Sequence, residues 1–78
     1  LSIYPNPVKG ELNMNLNLEL KENANVQVIN VTGQIILNDS FAQYEQQKAI
    51  DVSSFKSGIY FITLNTDLGE ASFKFIKE

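Results

Sequence analysis

The 78-residue sequence predicts an all-β fold, namely an antiparallel β-sandwich of about seven short strands. Three observations lead to this prediction. Apolar and polar residues alternate with a period of two in several windows, turn residues recur between those windows, and no window shows a helical period. With 44% hydrophobic residues, we expect a single domain over residues 1–78, of a size that buries roughly 60% of its unfolded surface.

The first predicted strand is Glu11–Leu20. Its apolar residues alternate strictly with polar ones, which predicts one buried and one solvated face; the apolar set is Leu12, Met14, Leu16, Leu18 and Leu20. A second strand begins at Val26 and Val28, and a third covers Ile35–Leu37. Between them, Asn30-Val31-Thr32-Gly33 predicts a type I turn that ends in a left-handed glycine. Asn30 is expected to accept a bond from the main-chain N–H two residues later.

The second half of the chain contains three more predicted strands. Gln46–Asp51 is a weak strand with Ile50 as its apolar anchor, and a capped turn or 3₁₀ segment follows it, with Val52 and Phe55 beneath. The last two strands are Ile59–Thr66 and Ala71–Lys77, joined by a turn at residues 67–69. We expect Ala71, Phe73 and Phe75 to share one face, and truncation of Phe73 to come close to unfolding the domain.

Residues 55–60, Phe-Lys-Ser-Gly-Ile-Tyr, resemble the tyrosine corner of immunoglobulin-like sandwiches. In that arrangement a tyrosine early in the penultimate strand donates its hydroxyl to a main-chain carbonyl a few residues upstream. Tyr60 is the expected corner residue, and Ile62 and Leu64 follow it into the core.

Composition argues against several functions. The chain has no histidine and no cysteine, and its net charge is −3, which disfavours nucleic acids and anionic membrane surfaces as partners. No apolar run approaches the roughly 20 residues that span a bilayer, so no direct membrane insertion is expected. Neither a signal peptide nor an initiator methionine is present. We therefore expect a piece of a larger exported protein.

No catalytic, metal or cofactor site is predicted. A serine–lysine dyad is formally available among Ser53, Ser54, Lys56 and Ser57, but such clusters are more often turn and cap residues. The turn carboxylates lack calcium-loop spacing; they are Asp39, Asp51, Asp67 and Glu70. Asn30 and Asn38 match the glycan acceptor pattern, and we interpret both as turn residues.

Four motifs in order resemble one family. They are the proline box Pro5-Asn6-Pro7, the alternating strand from Leu12 to Leu16, the Val-x-Val strand leading from Val26 to Gly33, and the Gly-x-Tyr strand at Gly58–Tyr60 before a last strand ending in Lys77. The chain resembles, over nearly its whole length, the type A C-terminal sorting domain of the type IX secretion system of Bacteroidetes. Two positions depart from the pattern: Asn30 stands where the family commonly has Asp, and Gln34 where a basic residue often follows the glycine.

The resemblance implies a secretion signal rather than an enzyme. Such a domain folds in the periplasm and is recognised by outer-membrane type IX components. It directs a folded N-terminal cargo to the cell surface or medium, and a surface sortase commonly removes it. Two other functions stay open: an immunoglobulin-like accessory module that binds carbohydrate or acts as a spacer, and an inert stalk. Carbohydrate binders usually present Trp or Tyr platforms, and this chain has no Trp and three Tyr.

The final hairpin, residues 58–77, is the candidate recognition element. The apolar residues of this hairpin that alternate with the predicted core residues are expected to face away from the core. They would form an apolar surface beside two lysines. The candidate set is Gly58, Ile59, Tyr60, Phe61, Lys74, Ile76 and Lys77. The paired prolines of Pro5-Asn6-Pro7 predict a stiff N-terminal arm, which is the second candidate surface. An edge lysine can also simply discourage unwanted strand pairing.

Overall fold

A computed structural model describes residues 2–16 and 22–78. These residues form seven strands in two antiparallel sheets, which confirms the predicted β-sandwich, and they contain no helix that could cross a membrane. The strands are β1 (Ser2–Tyr4), β2 (Glu11–Asn15), β3 (Ala24–Asn30), β4 (Ile35–Phe41), β5 (Gln47–Asp51), β6 (Gly58–Thr66) and β7 (Gly69–Lys77).

The two sheets divide the strands unequally. One sheet has the order β1-β2-β5, and the other has the order β4-β3-β6-β7. In the larger sheet, β6 pairs with β3 on one side and along its full length with β7 on the other. The register of β6 therefore sets which residues of three strands face the core.

The core lies between the sheets and contains most of the residues that the period-two pattern predicts. Ten of the predicted core residues are buried: Leu12, Met14, Leu16, Val26, Val28, Ile50, Tyr60, Ile62, Leu64 and Phe75. Val52 is also buried beneath its turn, as expected. Phe55 and Phe73 are only partly buried, and Ala71 is exposed. Among the described residues, burial along the last strand therefore increases toward its C-terminal end, where Val8 lies beside Lys77.

Several elements differ from the sequence prediction. The arm before the proline box contains a short strand, β1, which pairs with β2 from Ser2↔Asn15 to Tyr4↔Asn13. β4 continues to Phe41, which is fully buried and was not predicted. β2 ends at Asn15, and the predicted core residues Leu18 and Leu20 lie outside the described residues.

The turn between β3 and β4 is confirmed. Gly33 has φ 87°, and its N–H donates to the Asn30 carbonyl at 3.0 Å. The Asn30 side-chain oxygen accepts from the Thr32 N–H at 3.1 Å, as expected, and also from the Gln34 N–H at 2.9 Å. The Asn30 amide nitrogen donates to Gln34 Oε1 at 2.9 Å. Gln34, one of the two residues that depart from the family pattern, is thus part of the turn.

Lys48 joins the open sides of the two sheets. It follows the inward phase of Ile50, and its side chain is only 18% exposed. Its ammonium lies 3.6 Å from the carboxylate of Asp39 on β4 and 3.8 Å from that of Glu45. Because long charged side chains cover apolar surface with their stems, Lys48 both seals the core and links β5 to β4.

The unequal burial of the two phenylalanines of β7 predicts unequal stability losses. Phe75→Ala should cost about 3–5 kcal/mol of the ~5–15 kcal/mol that typically stabilises a small domain, because Phe75 is fully buried. Phe73→Ala should cost clearly less, because Phe73 is partly exposed. Urea unfolding of both variants measures the difference. Equal losses would contradict the burial gradient along β7.

Gly33 should tolerate asparagine better than valine. No atom lies within 4 Å of a Cβ built at this glycine, so the penalty is purely conformational. A β-branched residue fits the left-handed region badly, and Gly33→Val should cost more than ~1 kcal/mol. Gly33→Asn is the matched control, since Asn enters that region more readily. Thermal melts should rank the chains in the order wild type, Asn, Val.

Candidate functional site

The final hairpin consists of β6 and β7 around the two-residue loop Asp67-Leu68. Thr66 closes the loop: its hydroxyl accepts from the Leu68 N–H at 3.0 Å and donates to the Gly69 carbonyl at 3.2 Å. Gly69 has φ 127°, a conformation that L side chains rarely adopt. This loop sets the register of the hairpin, from Thr66↔Gly69 to Gly58↔Lys77.

The outer face of the larger sheet carries an exposed apolar patch at one end. Ile29, Phe61 and Lys74 lie side by side on β3, β6 and β7, and Ile59 pairs with Ile76 in the next row. Ile35 pairs with Ile29 on the far side. The exposed fractions are 56% for Ile35, 42% for Ile59, 37% for Phe61 and 40% for Ile76. We call these five apolar residues, Ile29, Ile35, Ile59, Phe61 and Ile76, the outer patch.

The other end of the same face is polar, which gives the outer patch a boundary. Gln27, Thr63 and Ser72 form the row next to Phe61, and the Thr63 and Ser72 hydroxyls are 3.4 Å apart. The row beyond contains Asn25, whose amide donates to Asn38 Oδ1 at 2.9 Å. Amides and hydroxyls that bond one another therefore occupy this end. The apolar surface therefore belongs to one end of the sheet.

Lys77 does not lie beside the outer patch, contrary to the expectation. It is three residues from Lys74, so strand alternation places the two lysines on opposite faces. Lys77 is 7% exposed, follows the inward phase of Phe75, and donates from its ammonium to the main-chain oxygen of Glu78 at 2.8 Å. Only Lys74 is exposed on the outer face, directly opposite Phe61.

The proline box contacts the last strand. The Ile76 N–H donates to Asn6 Oδ1 at 3.0 Å, and the Val8 N–H donates to the Ile76 carbonyl at 2.9 Å. The Glu78 N–H returns a bond to the Val8 carbonyl at 2.8 Å. Both X–Pro bonds of the box, Tyr4-Pro5 and Asn6-Pro7, are cis. Asn6 thus caps the edge of β7 rather than the arm itself.

Tyr60 forms the predicted tyrosine corner. Its hydroxyl donates to the Lys56 carbonyl at 2.7 Å. Its ring lies between Phe75, with centroids 5.5 Å apart and planes at 19°, and Phe55, at 5.2 Å and 43°. Gly58 begins β6 with φ 150°. Tyr60 and Gly58 therefore have structural roles in the hairpin. Tyr60 is only 8% exposed and is not available to a partner.

The serine-rich turn shows no catalytic geometry among its described contacts. Ser53 donates both its N–H and its hydroxyl to Asp51 Oδ1, at 2.9 and 2.6 Å. These two bonds stabilise the carboxylate and lower the pKa of Asp51. The Phe55 N–H donates to the Val52 carbonyl at 3.0 Å, so the segment is a capped turn. Within residues 2–16 and 22–78, no three potential metal-binding side chains come together.

The structure brings the two candidate surfaces together at one end of the molecule. The side chain of Ile76 is part of the outer patch, and the main-chain N–H of Ile76 bonds to Asn6 of the proline box. Ile29 and Ile35 were not predicted to belong to this surface, because the predicted surface was confined to the final hairpin. Val8, fully buried beside Lys77, was missed as well. Its neighbours Pro7, Lys9 and Gly10 hide any period-two signal.

Comparison with known families gives one result. A family model described as a secretion system C-terminal sorting domain matches residues 2–78. No curated protein was found to match the sequence.

The bond from Asn6 to the last strand should contribute measurably to stability. Asn6→Ala removes the acceptor for the Ile76 N–H and should cost about 0.5–1.5 kcal/mol. Asn6→Asp is the matched control, because a carboxylate oxygen can still accept that bond. Hydrogen exchange of the Ile76 amide should accelerate in the alanine variant only. An unchanged rate would show that the side chain does not protect this amide.

Proposed function

Because the chain belongs to the secretion system C-terminal sorting domain family, we propose that it directs a folded cargo, attached to its N-terminal side, across the outer membrane. The family is a signal family and not a catalytic one, and it marks proteins for export to the cell surface or medium. The type IX machinery is the proposed reader, and a surface sortase the proposed processing enzyme.

The outer patch supports this proposal as the surface that outer-membrane components recognise. In this proposal the signal is read after the domain has folded, so its recognition residues are expected to be exposed on a rigid element. The outer patch meets both conditions, since its side chains lie on four paired strands and four of them are more than one-third exposed. Exposed apolar patches with a polar boundary are typical of protein–protein contacts. Lys74 stands at the border and supplies the one cation of this row.

The proline box supports the same surface indirectly. The bond from Asn6 and the two bonds from the adjacent Val8 hold the C-terminal end of β7, where Ile76 presents its side chain to the outer face. Pro5, Asn6 and Pro7 are thus proposed to position the recognition residues rather than to contact the machinery. The same assignment applies to Gly58, Tyr60 and Lys77, which form the inner side of the hairpin.

The carbohydrate-binding alternative has less support from the geometry. Sugar platforms use exposed aromatic rings, and Tyr60 is committed to the core. Tyr4 and Tyr44 are exposed, but Tyr4 lies on β1 and Tyr44 in the β4–β5 connection, so neither belongs to the outer patch. The aromatic ring on the outer patch, Phe61, is a single ring that is 37% exposed, and its neighbours are isoleucines on one side and Lys74 and the Thr63 row on the other.

Export of a fluorescent cargo tests the proposal. The chain is fused behind a signal peptide and the cargo in a Bacteroidetes host, with and without its type IX machinery. We expect surface or medium fluorescence only when the machinery is present. Equal distribution in the two strains would contradict the sorting function.

The variants Phe61→Thr and Ile76→Thr test the recognition surface. Each keeps a good strand former while removing apolar contact, and loss of a central contact typically costs about 2 kcal/mol or more, close to 30-fold in affinity. Val31→Thr, at an exposed apolar residue in the β3–β4 turn, is the matched control. Export should fall severalfold in the first two variants and stay normal in the third. Thermal melts of the purified variants identify any loss that comes from unfolding.

A further inference from the structure

The outer edge of β7 has a free segment. Among the described residues, β7 is the last strand of its sheet, so one side of it pairs with β6 and the other has no strand neighbour. Main-chain groups of successive strand residues point to opposite edges. The N–H and carbonyl of Ile76 bond to Asn6 and Val8 on the outer edge. The same groups of Lys74, Ser72 and Glu70 therefore point outward, and all three residues are exposed.

Both limits of this segment are defined. Toward the C-terminus, Asn6 and Val8 already occupy the main-chain N–H and carbonyl of Ile76. Toward the N-terminus, the limit is Gly69, where β7 begins directly after the hairpin loop. Residues 70–74 are thus a five-residue open edge. Unpaired edges readily accept another strand, and charged residues on them restrict which strand fits.

In one register, the charges on this edge are complementary to the charges on the same edge of a second copy of the chain. If a second copy pairs antiparallel about Ser72, Ser72 of one copy faces Ser72 of the other. Lys74 of each copy then faces Glu70 of the other, so two opposite-charge pairs form across the dyad. On the inner face, the partly exposed Phe73 faces the small, exposed Ala71, and the two side chains together fill a cross-strand position.

The same register uses all the free main-chain groups. Glu70, Ser72 and Lys74 would each exchange N–H and carbonyl bonds with the opposite strand, because each directs both groups outward. Phe73 lines an apolar cleft of about 240 Å³ together with Leu16 and Leu64. In the dimer, the contact between Phe73 and Ala71 of the second copy would extend this cleft. A shifted or parallel strand would lose the charge matching. A dyad also closes the assembly after two copies, so that no open edge of β7 remains.

We propose that the chain self-associates through residues 70–74 of β7 into a two-fold symmetric dimer with one continuous eight-stranded sheet. The contact is short, so the dimer is a concentration-dependent one in equilibrium with the monomer. It is independent of the proposed export function, because it rests on the register and charges of the edge.

Charge reversal and charge exchange test the register. Sedimentation equilibrium of the purified 78-residue chain, from about 10 μM to about 1 mM, should show a monomer–dimer equilibrium. Lys74→Glu and Glu70→Lys should each raise the dimer dissociation constant at least about fivefold, because each creates two like-charge pairs across the dyad. The double variant Glu70→Lys/Lys74→Glu should restore the wild-type value, since the opposite-charge pairs form again. Lys56→Glu and Glu11→Lys, at exposed positions away from β7, are the matched controls and should leave it unchanged.

Removal of the central main-chain donor gives a second test. Ser72→Pro deletes an N–H that β6 does not use, and proline is tolerated on edge strands. This variant should remain folded by circular dichroism and be monomeric. A wild-type chain that is monomeric throughout the range, a constant unaffected by Lys74→Glu, or no restoration in the double variant would overturn the proposal. None of these measurements involves the export machinery, and the export variants lie outside residues 70–74, so the two proposals fail separately.

Discussion

The register between β6 and β7 is the constraint on which the other features of this domain depend. A slip of β7 by one residue against β6 would turn Phe75 toward solvent and Ile76 toward the core. Two features hold the register: the Thr66–Gly69 loop at one end and the stacking of the Tyr60 ring on the Phe75 ring at the other. β3 pairs with the other side of β6, and that second register selects the outward residues of β3. The inward face, the outer patch and the open edge of the larger sheet therefore all depend on how β6 is paired.

The domain closes without cysteine by connecting its two ends. Asn6 and Val8 bond to the main chain of the last strand, and Val8 fills the core beneath that contact. Lys48 closes the opposite side by an ion pair between the sheets. A chain of this size has a small core, so each of these contacts is a sizeable fraction of the total stability. This closure joins the first of the four motifs to the last strand, since Asn6 bonds to Ile76.

Placing the proposed signal on a sheet face, rather than on a flexible tail, has a physical consequence. Side chains on four paired strands lose little conformational freedom on binding, so more of the contact energy appears as affinity. The outer patch and the free segment of β7 lie on the same sheet, and Lys74 belongs to the boundary of both. Self-association would pair Lys74 with Glu70 while leaving Phe61 and the isoleucines exposed. The two proposed surfaces are thus adjacent but separable by substitution.

The sequence by itself determined the fold class, the Asn30–Gly33 turn, the tyrosine corner and most of the core, because each of these depends on alternation or on contacts between residues close in the chain. It also identified Ile59, Phe61 and Ile76 as out of phase with the core. Only the tertiary structure decided how far the patch extends, since Ile29 and Ile35 join it through pairing between distant strands. The same holds for the role of Asn6, whose partner is 70 residues away. Burial of Lys77 and exposure of Phe73 likewise depend on what covers each end of β7, which is a long-range property that no local pattern contains.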